Sequence, residues 1–96
     1  MIFQIPAALR EFAGGRNAVE VDLGAAPLNE ALDRLWLQYP GLRDRIVTEQ
    51  GQVRTHINIF VGDENIRYLG GLATLVPMGA VVSIIPAVSG GLRVAG

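Results

Sequence analysis

Pro27-Leu28-Asn29-Glu30-Ala31-Leu32-Asp33-Arg34-Leu35-Trp36-Leu37-Gln38-Tyr39 decides the fold, because no other stretch carries the period of a full helix. Leu28, Ala31, Leu32, Leu35, Trp36 and Tyr39 recur at the i, i+3, i+4, i+7, i+8, i+11 spacing, so they form one broad apolar stripe. Asn29, Asp33, Arg34 and Gln38 lie off it. Pro27 suits the first helical position, where a missing N–H costs nothing, and Glu30 favours the dipole of the first turn. Pro40-Gly41 ends the helix. The start is weakly capped, since Ala26 stands where a Ser, Thr or Asp would serve better.

On the N-terminal side, residues 2–5 are a short β-prone run stopped by Pro6, which cannot donate to a ladder. Residues 7–12 suit a single helical turn with Leu9 and Phe12 on one face, halted at Gly14-Gly15. Val19-Glu20-Val21-Asp22-Leu23 alternates strictly, which predicts a half-buried strand with Val19, Val21 and Leu23 inward. The first two strands are expected to pair antiparallel. Beyond the helix, residues 42–47 suit a short helical turn and 48–54 a polar loop. Residues 55–61 predict a strand with Ile57, Ile59 and Val61 on one face. Gly62-Asp63-Glu64-Asn65 is turn chemistry and residues 66–69 a returning strand. Residues 70–79 read as a connection. Residues 80–87, nearly continuous in Val and Ile, predict a central last strand.

The order is β-β-α-β-β-β. One amphipathic helix can cover only one face of such a mixed sheet, so the class is α+β and the architecture a β-grasp, a ubiquitin-like sheet curled around one main helix. A ferredoxin-like sandwich would need a second full helix, and no segment supplies one. The domain is expected to span residues 1–89, with 90–96 a flexible tail.

Composition narrows function. The chain has 96 residues, half of them apolar, a balance that fits one modest core. A net charge of −1 argues against nucleic acid, which requires a basic excess. With no cysteine there is neither disulfide nor thiol chemistry. The apolar stretch from Met78 to Val88 is too short and too broken to span a bilayer, and residues 1–6 lack the features of a signal peptide. The expectation is a cytoplasmic monomer with no membrane partner. All eight basic residues are arginine. Codon bias explains this; so would an advantage in lacking lysines that could capture an activated C-terminus.

Three diglycines occur. Gly14-Gly15 and Gly70-Gly71 lie between predicted elements, where turns account for them. Gly90-Gly91 follows the last strand, and a tail without Cβ atoms can lie extended in a narrow active site of another protein. A carboxylate on Gly91 would be its working group once Leu92-Arg93-Val94-Ala95-Gly96 were removed.

With these residues in view, the chain resembles the MoaD/ThiS family of ubiquitin-like sulfur carriers, and within it the CysO-type branch of cysteine biosynthesis. The resemblance rests on Ile5-Pro6 with Leu9-Arg10, on Gly14-Gly15 and on Val61-Gly62-Asp63-Glu64-Asn65-Ile66-Arg67. It rests also on Gly70-Gly71-Leu72-Ala73-Thr74 and on Ile85-Pro86-Ala87-Val88-Ser89-Gly90-Gly91. It implies a carrier that is not itself an enzyme and binds no cofactor. An E1-like adenylyltransferase/sulfurtransferase would use ATP to adenylate Gly91, with Gly90 as the approach, and convert it to a thiocarboxylate. In the CysO branch a PLP-dependent cysteine synthase accepts the sulfur, and a JAMM-type zinc peptidase then releases the cysteine. Family members usually finish at the second glycine, so the five further residues imply a precursor cut between Gly91 and Leu92. A tail that is never removed, on a protein acting by non-covalent contact, is the other interpretation. Within the same superfamily the molybdopterin synthase small subunit is an alternative; so is a ubiquitin-like protein modifier, and a purely structural module is a third.

The remaining polar candidates have plainer explanations. His56 is the sole histidine and has no Cys or second His to complete a metal site. Asp63 and Glu64 fall in a predicted turn and read as solvated. Phe60 is predicted on the outer sheet face, where Ile85 or Tyr68 could join it, depending on register, as a docking patch for a partner enzyme. A locally covered Phe60 is an equal possibility.

Overall fold

The structure, a computed structural model, describes residues 1–87. Its main sheet has five strands in the order β2-β1-β7-β4-β5. These are β1 (Ile2–Gln4), β2 (Ala18–Glu20), β4 (Ile57–Val61), β5 (Glu64–Asn65) and β7 (Val81–Pro86). The first and last strands lie side by side and parallel at the centre, with Phe3 opposite Val82. β1 pairs antiparallel with β2, and β7 antiparallel with β4. This is the β-grasp expected from the sequence.

Alternation along each strand places Phe3, Val19, Ile57, Ile59, Val82 and Ile84 on one face, all buried. Helix α1 (Leu28–Gln38) crosses that face and buries Leu28, Ala31, Leu32 and Leu35 against it. Each such leucine contributes about 1.5–3 kcal/mol of burial. Trp36 and Tyr39 are half-buried at the margin of the core. A short helix, α2 (Arg43–Ile46), and the 3₁₀ turn before it (Pro40–Leu42) close the base with Leu42 and Ile46 fully buried.

Packed against that base, with Arg45 over the Phe12 ring, the 3₁₀ turn Ala7–Ala13 stops at Gly14, which adopts a left-handed conformation (φ 63°). A Cβ there would also stand 3.4 Å from the Tyr39 ring, so glycine serves both the backbone and the packing.

The weak helix start has a tertiary answer. Pro27 is the N-cap and not the first helical residue, with an extended backbone (φ −60°, ψ 148°) and no side-chain cap. Ala26–Pro27 forms a strand, β3, that pairs antiparallel with β6 (Leu75–Val76) in a second, two-stranded sheet. The Leu28 N–H then donates to the Thr74 C=O at 2.8 Å, so an orphan donor of the first turn is satisfied from across the chain.

Residues 70–79 are therefore more than a connection. They hold β6 and a 3₁₀ turn (Gly71–Ala73), pinned where the buried Thr74 accepts the Gly70 N–H on its Oγ1 at 3.0 Å. Replacing Thr74 by valine keeps the shape and removes that acceptor. A loss of about 1 kcal/mol is expected, read as a lowered midpoint in urea unfolding.

Two other expectations change in extent. The second strand ends at Glu20. Val21 remains buried, with its N–H donating to the Met1 C=O at 2.8 Å, while Leu23 lies only partly buried beyond the ladder. The returning strand of the hairpin is Glu64–Asn65 alone, and Ile66–Tyr68 winds into a 3₁₀ turn. The Asn65 side chain accepts the Arg67 N–H at 2.9 Å and so turns the chain out of the sheet.

Candidate functional site

The site has to be built from the end of β7, because that strand delivers the chain to its diglycine. β7 lies between two strands, paired with β1 from Val81 to Ser83 and with β4 from Val82 to Pro86, so every one of its residues has a ladder partner. Pro86 stands opposite Ile57, and the Ala87 N–H donates to the His56 C=O at 2.6 Å. Gly90, Gly91 and Leu92, where the resemblance leads one to expect activation and cleavage, lie outside the described residues. What the structure describes is the mount.

Beside the mount, a groove of about 460 Å³ runs between the end of β7 and the start of the first 3₁₀ turn. Gln4, Ile5, Pro6, Arg10 and Ile85 line it. Arg10 is held there by its Nε, which donates to the Ile5 C=O at 3.1 Å. The Ser83 hydroxyl bonds Gln4 Oε1 across the central strand pair at 3.0 Å. The Gln4–Ser83 pair had no sequence signal of its own, and Arg10 none beyond its place in the Leu9-Arg10 pair. Seventy-nine residues separate Gln4 from Ser83, and only the parallel register brings them together.

Of the three residues considered for a docking patch, the ladder brings two together. Phe60 lies on the outer face opposite Ser83, and Ile85, 47% exposed, is its diagonal neighbour along β7. Val81 and the exposed Ile2 lie on the same face. Tyr68 is not part of that ladder; it projects from the 3₁₀ turn after β5 and is 81% exposed.

Among the described residues, no group of three His, Cys, Asp or Glu side chains could hold a metal ion. His56, Asp63 and Glu64 are all exposed, the last two at the turn between β4 and β5. No helix of the described residues is long and apolar enough to cross a membrane.

Comparison with known proteins agrees with this architecture. The sequence pattern of the ThiS family matches residues 3–91, a span that takes in the diglycine. The sulfur carrier protein CysO of Mycobacterium bovis is 36% identical over 89 residues, covering 91% of this chain and 94% of that protein. Small archaeal modifier protein 3 of Haloferax volcanii is 32% identical over 85 residues, covering 88% of this chain and 91% of that protein. Among solved structures, a chain of the Amycolatopsis orientalis BexX/CysO complex superimposes with a TM-score of 0.85 at 36% identity, covering 94% of this chain and 98% of that one.

Proposed function

This chain belongs to the ThiS family of ubiquitin-like carriers, and on that premise we propose that it carries sulfur as a thiocarboxylate on Gly91. The observation that carries the proposal is the family match running through Gly90-Gly91, four residues beyond a strand that β4 holds up to Pro86. A free carboxylate is a poor acyl donor. Its oxygen attacks the α-phosphorus of ATP and expels pyrophosphate, which leaves an acyl-adenylate. A sulfide equivalent then adds to the acyl carbon and AMP departs, giving –COSH. Sulfur held this way reaches an acceptor without release as free sulfide.

As encoded, the carbonyl of Gly91 is an amide to Leu92 and has no carboxylate to activate, so residues 92–96 are removed first. The similarity to CysO supports cysteine synthesis as the destination. The partners would be an E1-like activating enzyme, a PLP-dependent synthase and a zinc peptidase of the JAMM type. That a similar chain was solved in complex with BexX supports work through a partner protein.

The test is incubation of the chain ending at Gly91 with an activating enzyme, ATP and a sulfur source. Intact mass should rise by one oxygen-for-sulfur exchange, mapped to Gly91. A mass that never changes would rule the carrier out.

A second reading, a protein modifier, is favoured by the similarity to small archaeal modifier protein 3. Lysine conjugates bearing a Gly91 remnant, sought by proteomics in the native cell, would establish it.

The outer face bearing Phe60 and Ile85 is the surface on which an activating enzyme would dock. Changing Ile85 to Asp together with Phe60 to Ala should leave the fold in place. It should raise KM for the carrier by about tenfold with kcat unchanged. An equal loss of kcat would move the contact into the chemical step.

A further inference from the structure

Among the described residues, the edge of β4 away from β7 is covered only in part. The Ala87 N–H bonds the His56 C=O, and the Gly62 N–H bonds the Val81 C=O at 2.9 Å. Even-numbered residues of β4 therefore aim their backbone groups at β7, and odd-numbered ones at the opposite edge. On that edge the ladder with β5 covers only Phe60 and Val61. The Ile57 N–H turns back to the Arg54 C=O at 3.0 Å. Among the described residues, no strand stands opposite the Ile57 C=O and the Ile59 N–H on that side. Two such groups, two residues apart, can hold one residue of an incoming extended chain by its N–H and its C=O.

The space beside them is formed and not filled. A groove of about 630 Å³ lies along this edge, walled by the half-buried Val53 and Leu72 and floored by Ile57 and Ile59. Its charges are Arg54 and Arg67, and no Asp or Glu lines it. Neither arginine has an ion-pair partner among the described residues. Arg54 is steadied by its Nε bond to the Asp44 C=O at 2.7 Å, which leaves its terminal nitrogens available. Proteins ordinarily block an open strand edge with charge of their own or with a covering segment. Here the edge is flanked by cations alone, on a chain whose net charge is −1.

We infer that this groove takes an extended, acidic segment of a partner protein, which adds as a strand to β4 and pairs its carboxylates with Arg54 and Arg67. The inference stands on the groove and not on the chemistry of Gly91. An occupant would lie one strand away from Ala87, so one partner could grip the edge and reach the tail together.

The test uses the ¹⁵N-labelled full chain, titrated with a capped eight-residue peptide alternating valine and glutamate. Saturable shifts are expected at Val53, Ile57, Asn58, Ile59 and Leu72, with slowed hydrogen exchange at the Ile59 N–H. A capped valine and lysine peptide should not bind. Arg54→Glu and Arg67→Glu should each weaken the acidic peptide by about tenfold. Circular dichroism checks that these variants fold, and Arg54→Gln with Arg67→Gln serves if they do not. Equal binding of the lysine peptide, shifts confined to the Phe60 face or the Arg10 groove, or no saturable shift would each overturn the proposal.

Discussion

In the chain ending at Gly91, replacing Gly91 by tryptophan should abolish thiocarboxylate formation, with activity falling by about a hundredfold or more. Three physical effects act in the same direction. A glycine tail presents no Cβ, so it can enter a channel only as wide as the backbone. Adenylation requires the carboxylate oxygen in line with the α-phosphorus, and small displacements of a reacting atom cost orders of magnitude in rate. The side chain would also sit on the Cα beside the acyl carbon that the sulfur must attack. Gly91→Ala should be intermediate. Neither change should alter thermal unfolding, because β7 ends at Pro86 and its ladder bonds lie upstream. The readout is intact mass after reaction, alongside the melting temperature. Full conversion of the tryptophan variant would show that activation does not require a terminal residue without a side chain.

The largest effect on stability should come from Phe3→Ala. Phe3 is fully buried in the middle of β1, paired on one side with Val19 and on the other with Val82. It points to the face covered by α1, so its removal leaves a cavity between sheet and helix. Such truncations cost about 3–5 kcal/mol, against about 5–15 kcal/mol for a whole domain. In a chain this size that lowers the melting temperature by on the order of 15 °C, visible by calorimetry. Ile85→Ala, on the exposed face of the same sheet, should stay within about 0.5 kcal/mol of the parent. Similar losses at both positions would mean that the outer face is covered.

The two predictions separate the parts of the molecule. One alters the tail and spares the fold; the other alters the fold and reaches function only through it.

Periodicity alone decided the fold class. The stripe from Leu28 to Leu35 and the alternation at Val19, Ile57 and Ile59 depend on neighbours in the chain, and each proved buried where its period put it. The diglycine and the five residues after it can be read directly in the sequence, and the chemistry proposed for them is covalent and local.

Tertiary structure decided what depends on residues far apart. Pro27 left the helix for a strand because Leu75–Val76 lies beside it, and the Thr74 carbonyl took the Leu28 N–H that no local cap could satisfy. The return strand shrank to Glu64–Asn65 because the Asn65 side chain turned the backbone out of the ladder. That shortening opened the β4 edge, and folding then set Arg54 and Arg67 beside it. A hydrogen bond to an edge, or the lack of one, has no period, so a single sequence cannot show it.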